Sequence, residues 1–233
     1  MGFVKLCFLL MLIAAASLTA TGQDDSDQNA GGSGSGDSEA AEKKEEDRKK
    51  VIKEALGKDA KLKPINGGGG PIIKSTDLKC GFDRLETCNW NNGRESKLKW
   101  GIIDDGVDSK KFKKTFDKEA STPFAAVASG KTKKTDEAEL ISGIIPCQRE
   151  DGQLSFGYYL SDGVKLKVCR KSIDKKLIEP CHELVGTDPA TVIAIRGGNP
   201  DQFRIVFIAT NFVDGGVAII KNVEYSAKFC QLS

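Results

Sequence analysis

The chain has 233 residues, of which 39% are hydrophobic, enough for one real core in one or two domains. Its 35 Lys and Arg against 33 Asp and Glu leave a net charge of +2, which argues against a nucleic-acid partner, since that needs a basic surplus or stripe. A single histidine argues against most zinc enzymes and against a Ser-His-Asp hydrolase.

In chain order, the first segment reads as an address. Lys5 precedes an apolar run from Leu6 to Leu18, and Ala20 and Gly22 satisfy a small-residue cleavage rule. A signal peptide over residues 1–22 is expected, with the mature start near Gln23. The run falls short of the ~20 residues that a membrane-crossing helix needs. No later stretch is long and apolar enough to span, so a soluble, secreted protein with no transmembrane segment is expected. Setting aside Cys7 leaves Cys80, Cys88, Cys147, Cys169, Cys181 and Cys230. An even count in an oxidising compartment reads as three disulfides. There is no Cys-x-x-Cys pair to suggest zinc.

From Gln23 to Lys79 there is no aromatic residue, so this segment has little with which to offset its ordering entropy. Five acids (Asp24, Asp25, Asp27, Asp37, Glu39) occur before residue 42, and basic residues dominate from Glu42 to Lys63. Ser38 is placed to cap a charged helix running toward Leu56, with Gly57 as its stop. Its few apolar residues (Val51, Ile52, Ala55, Leu56) make it marginal alone. Residues 23–79 therefore read as a solvated, disordered or partly helical charged stalk, with a hinge at Gly67–Pro71. Within it, Gly-Gly-Ser-Gly-Ser-Gly-Asp-Ser-Glu (residues 31–39) has the composition of a flexible linker. The Ser-Gly pairs flanked by acids also resemble glycosaminoglycan attachment sites, which makes Ser33 and Ser35 candidates for a chondroitin-type chain. The sequence has no N-x-Ser/Thr sequon.

After Cys80 the pattern changes to short runs rich in Val, Ile, Phe and Tyr, bounded by turn residues. The clearest are Ala138–Ile145, Leu154–Leu160, Val164–Cys169, Thr191–Arg196, Phe203–Ala209 and Val217–Phe229. Asp151-Gly152 and Asp162-Gly163 predict hairpin turns. Val164, Leu166 and Val168 alternate with Lys165, Lys167 and Cys169, giving one buried and one wet face. An all-β, two-sheet antiparallel sandwich over residues 80–233 is expected.

Cys80-Gly-Phe-Asp83, Cys88-Asn-Trp90 and Trp100 resemble the opening of a MAM domain, an extracellular jelly-roll module. The resemblance continues through Ala138-Glu-Leu140-Ile-Ser142 and Leu154-Ser-Phe156-Gly-Tyr158. It ends with Phe203–Ala209, Ala218–Val223 and Cys230. The chain departs from the family pattern in three places: Cys147 lies early, Lys221 and Asn222 stand where the family often has acids, and Cys169 and Cys181 are additional. It resembles a divergent, short secreted member of the nematode type. The resemblance implies a jelly-roll-like sandwich and the pairs Cys80–Cys88, Cys147–Cys230 and Cys169–Cys181, among the 15 connectivities that six cysteines allow.

Candidate chemistry is sparse. Gly130-Lys131-Thr132 lacks the first glycine of a phosphate loop, since position 125 is Ala125. Asp104-Asp105-Gly106-Val107-Asp108 has the wrong spacing for an EF-hand and reads as a solvated turn. Asp83 lies where some family members place an acid near a cation, but Lys221 disfavours a metal there. His182, between Cys181 and Glu183, reads as an exposed imidazole without a partner in a loop begun by Pro180. A Cys-His nucleophile would need a free thiolate at Cys181. No catalytic residue, metal or cofactor is expected. Lys110, Lys111, Lys113, Lys114 and Lys118, with Lys131, Lys133 and Lys134, form the densest basic stretch; they read as charged loops or as a patch for polyanions. The expected function is that of a secreted, non-enzymatic matrix or adhesion-type protein with an extracellular protein or glycan partner, its stalk a possible site of chondroitin chains. The alternative is an unmodified secreted binding or decoy protein acting through the loops of the sandwich.

Overall fold

A computed structural model describes residues 36–65, 67, 70–83, 88–173, 181–198 and 201–230. Ser33 and Ser35, like the signal-peptide segment, lie outside the described residues.

The first element is helix α1, Gly36–Ala55, built largely from Ala, Glu and Lys, which are strong helix formers. It ends at Gly57, whose φ of +116° suits glycine. A Cβ at Gly57 would also stand 2.8 Å from the Cβ of Asp108. The Asp108 N–H donates to the Leu56 carbonyl at 2.7 Å, and the Asp108 carboxylate caps the second helix, α2 (Ser109–Phe116), by accepting from the N–H groups of Lys110 and Lys111. One residue thus ties the ends of both helices together. Gly106, with φ +73°, lies against Asp59 in the same turn. The turn at Asp104–Asp108 is exposed, as expected, and in addition supplies a helix cap and, through Lys63–Asp104 at 2.5 Å, an ion pair.

Eleven strands are formed among the described residues: β1 Lys63–Pro64, β2 Trp90–Asn92, β3 Gly101–Ile103, β4 Phe124–Ser129, β5 Glu137–Ser142, β6 Gly152–Leu160, β7 Lys165–Ser172, β8 His182–Leu184, β9 Thr187–Ile195, β10 Phe203–Thr210 and β11 Gly216–Ser226. All pairings are antiparallel. One sheet has the order β1-β3-β4-β11-β6-β9 and the other β2-β5-β10-β7-β8. Of the eight strands β4–β11, the first lies beside the last and the second beside the seventh, and the chain changes sheet at nearly every connection. This is the winding of a jelly roll.

That winding corrects the two hairpins expected at Asp-Gly. Asp162-Gly163 joins β6 to β7, which lie in different sheets, so the turn is an arch between layers. Gly163 does take a left-handed φ of +79°. Gly152 opens β6 and is buried; a Cβ there would stand 2.4 Å from the Tyr225 hydroxyl. Its glycine reflects close packing.

Between the sheets lies the larger core. Trp90, Trp100, Phe203, Phe207 and Phe212 have almost no exposed surface. Phe207 meets Phe156 edge-on at 5.0 Å and Trp90 at 5.2 Å. Both indole N–H groups are satisfied by carbonyls, Trp90 by Leu78 at 3.0 Å and Trp100 by Ala138 at 3.1 Å, as buried tryptophans require. Disulfides join Cys80 to Cys88, Cys147 to Cys230 and Cys169 to Cys181. The wet face of β7 is only partly wet: Cys169 packs with Val206 and Ile208 in a small buried cluster on the outside of the five-stranded sheet.

The expected charged helix is present and residues 39–50 are exposed apart from half-buried Arg48, but the stalk reading fails from Ile52 onward, where described residues of the segment pack on the sandwich as part of the same compact unit. Ile52, Ala55, Leu56 and Ala60 are buried with Ile103, Phe112, Phe116, Phe124, Tyr159 and Ile219 on the outer face of the six-stranded sheet. Lys63 and Pro64 extend that sheet by pairing with Ile102 and Gly101. Few apolar residues suffice because they cluster at the carboxy end of α1 and meet an aromatic surface supplied by α2.

Candidate functional site

The middle turns of helix α1 lie beside two loops. The β4–β5 loop is held by Thr132, whose N–H donates to the Phe212 carbonyl at 3.1 Å. Its first residue, Gly130, lies so close to α1 that a Cβ there would stand 2.7 Å from the Cβ of Asp47. The β2–β3 loop is pinned by Ser96, whose hydroxyl donates to the Leu98 and Glu137 carbonyls at 2.7 and 3.0 Å.

These pieces enclose a cleft of about 660 Å³, within the range of ligand sites. Six cations (Lys44, Arg48, Lys97, Lys99, Lys131, Lys133) and three acids (Glu45, Asp47, Asp136) line it, over a floor that includes Leu98 and Ala128. Two of the acids are engaged. Lys97 pairs with Asp136 at 2.6 Å, and the hydrogen bond it donates holds that carboxyl below its usual range. Arg48 pairs with Glu45 at 3.2 Å, while its Nε is buried and has no hydrogen-bond partner among the described residues. The Lys99 ammonium donates to the Gly93 carbonyl at 2.6 Å. Among the described residues, Lys44, Lys131 and Lys133 form no ion pair within 4 Å. Lys97, Lys99, Lys131 and Lys133 are exposed, and the two loops hold their backbones in place.

The basic stretch seen in the sequence is therefore divided. Lys131 and Lys133 line this cleft. Lys110, Lys111, Lys113 and Lys114 belong to α2, beside the other end of α1, where the Lys111 ammonium donates to the Lys53 carbonyl at 2.8 Å. Lys113 is paired with Glu119 at 2.6 Å. Lys134 is exposed on the β4–β5 loop but does not line the cleft. Sequence reasoning missed Lys44, Arg48, Lys97 and Lys99. The helix itself was legible, but nothing in its pattern told where it would dock.

The other candidates acquire structural roles. Cys181 is oxidised, which removes the thiolate that a Cys-His nucleophile needs. His182 begins β8 and is exposed, but it has a partner: its Nε2 lies 3.0 Å from the Ala194 carbonyl of β9. Lys221 reaches the Ser121 hydroxyl, lies 5.9 Å from the Tyr159 ring, and has its pKa lowered by burial. Among the described residues no group of three or more His, Cys, Asp or Glu is arranged to hold a metal. No helix among them is long and apolar enough to cross a membrane.

Comparison with known families finds the MAM domain, meprin/A5/mu, matching residues 80–231. The chain belongs to the MAM domain family. No curated protein sequence matches it. Among solved structures it is similar to TmCBM61 in complex with β-1,4-galactotriose, at 11% identity and a TM-score of 0.40, covering 60% of this chain and 88% of that one. It is similar also to a family 11 carbohydrate-binding module from Clostridium thermocellum in complex with a β-1,3-1,4-mixed-linked tetrasaccharide (13% identity, TM-score 0.38, covering 65% and 95%). A third is the enzymatically active domain of bacteriophage CBA120 tailspike protein 4, with 17% identity, a TM-score of 0.42 and coverage of 68% and 22%. Likeness at this level carries no inference about ligands.

Proposed function

We propose that the chain is a secreted, non-enzymatic matrix or adhesion-type protein whose MAM sandwich is the binding element. The observation that carries this is membership of the MAM family through a domain tied by three disulfides, a chemistry suited to an oxidising, extracellular setting. The one Cys-His candidate for catalysis is consumed by a disulfide, in keeping with a binding role. At a finer level, Ser33 and Ser35 carry chondroitin-type chains, a reading supported by the Ser-Gly pairs among acids that follow a signal-peptide-like run.

The test is the intact mass of the protein secreted from animal cells, before and after reduction and after chondroitinase digestion. A diffuse, heavy species that sharpens on digestion, and vanishes in the Ser33→Ala, Ser35→Ala variant, is the expected result. A sharp mass for residues 23–233, lighter by the hydrogens of three disulfides, would eliminate the attached chain and leave an unmodified binding protein. That second reading is favoured by the loop-built basic cleft. Retention of the protein inside the cell would overturn the secreted function altogether.

A further inference from the structure

We infer that the cleft between α1 and the β4–β5 loop is a docking site for a linear sulfated polysaccharide. The inference deepens the binding role proposed above and does not depend on modification of Ser33 or Ser35. Pairing Lys97 with Asp136 and Arg48 with Glu45 leaves Lys44, Lys99, Lys131 and Lys133 with Asp47 as the one lining acid not already in an ion pair. A whole chain of net charge +2 thus places a local surplus of three positive charges in one recess. Such focusing, more than net charge, attracts a polyanion.

The recess also has the right construction. Lys131 and Lys133 flank Thr132, whose backbone and hydroxyl both donate to the Phe212 carbonyl, so the two ammonium groups extend from an anchored loop. Across from them, Lys44 and Arg48 are four residues apart and so share a face of α1. The buried Arg48 Nε is a donor without a partner among the described residues. Lysine ammonium groups on flexible stems act as point charges and suit anions repeated along a polymer.

The chemistry of the walls selects among polyanions. Among the described residues no Phe, Tyr or Trp lines the cleft. Single-stranded nucleic acid draws much of its affinity from stacking on aromatic rings, whereas a sulfated sugar chain needs cations and hydrogen-bond donors. Leu98, half-buried among the lining residues, gives the apolar face of a sugar ring a small surface to lie on.

The test uses the secreted chain carrying Ser33→Ala and Ser35→Ala, so that no attached chain competes. Binding of a heparin dodecasaccharide is measured by calorimetry at two salt concentrations. With four cations engaged, affinity should fall about 20-fold between 50 and 150 mM salt, by analogy with single-stranded polyanions. Lys131→Glu with Lys133→Glu should weaken binding at least tenfold. Lys113→Glu with Lys114→Glu on α2 adds the same charge elsewhere and should weaken it less than threefold. All variants are compared at equal thermal stability. Equal losses from the two pairs would reduce the effect to diffuse attraction and overturn the site. So would absence of binding at 50 mM salt, or equal affinity for a twelve-nucleotide oligothymidylate. Failure of the Ser33 and Ser35 reading shows separately, as a sharp mass in the unmutated protein.

Discussion

Replacing Leu56 by alanine tests whether the segment preceding the sandwich is part of the fold. Leu56 has no exposed surface and lies among Ile52, Ala60, Ile103, Phe112 and Phe116, a cluster joining α1, α2 and the six-stranded sheet. The substitution removes buried methyl groups and leaves a cavity whose walls, held by the sheet and two helices, have little freedom to collapse; a cost of about 3–4 kcal/mol follows. For a cooperative unit of this size each kcal/mol lowers Tm by roughly 2–4 °C, so a fall of about 6–16 °C is expected. Fluorescence of Trp90 and Trp100, both buried between the sheets and absent from the helix, is the suitable assay. Glu46→Ala, on the exposed face of α1, should stay within ~0.5 kcal/mol of the parent. If sheet unfolding in the Leu56 variant shifted no more than in the Glu46 variant, α1 would not be part of the cooperative unit. The docked helix, and the cleft built on it, would then fall together.

Other outcomes follow from the same packing. Gly152→Ala sets a methyl group against the Tyr225 hydroxyl and should cost about 1–3 kcal/mol in urea unfolding. Replacing Cys147 and Cys230 by serine should destabilise most among the three disulfides, by about 4–5 kcal/mol on the chain-entropy model. They lie 83 residues apart, against 8 and 12 for the other pairs. Burial, then the neighbouring Glu139, raises the pKa of Glu137 above its ordinary 4.5. A carboxyl raised on folding favours the native state most below its unfolded pKa and loses that contribution as pH rises through the folded value. Glu137→Gln should therefore match the parent at pH 4 and exceed it slightly at pH 7, by less than ~1 kcal/mol after solvent screening; a stability gap independent of pH would count against this.

Among the parts legible in the sequence were those where side chains alternate in water-facing strands. Leu166 and Val168 against Lys165 and Lys167 announced β7 in this way, whereas β6 and β10, buried at most positions, were announced by runs rich in aromatic and β-branched residues at Leu154 and Phe203. Strand β4, Phe-Ala-Ala-Val-Ala-Ser, gave no such signal, because α1 and α2 cover its outer face and both sides are buried. Helix α2 was hidden behind its lysines, although Phe112 and Phe116 stand four apart and their rings meet at 4.7 Å. The disulfide pairs required a family resemblance, since spacing leaves every connectivity open. The cleft was half visible: Lys131 and Lys133 stood out as charge, but their partners come from a helix more than eighty residues earlier, and only docking brings the two together.

The winding of the sandwich also bears on its biogenesis. In the six-stranded sheet β11 lies between β4 and β6, and in the other sheet β10 lies between β5 and β7. The two strands that join the halves of each sheet are thus the last in chain order among the described strands. Until they emerge, β4 and β6 are strangers, and so are β5 and β7, with the apolar sides of four strands uncovered. Closure of the sandwich therefore waits on β10 and β11, whatever the order in which the earlier strands form.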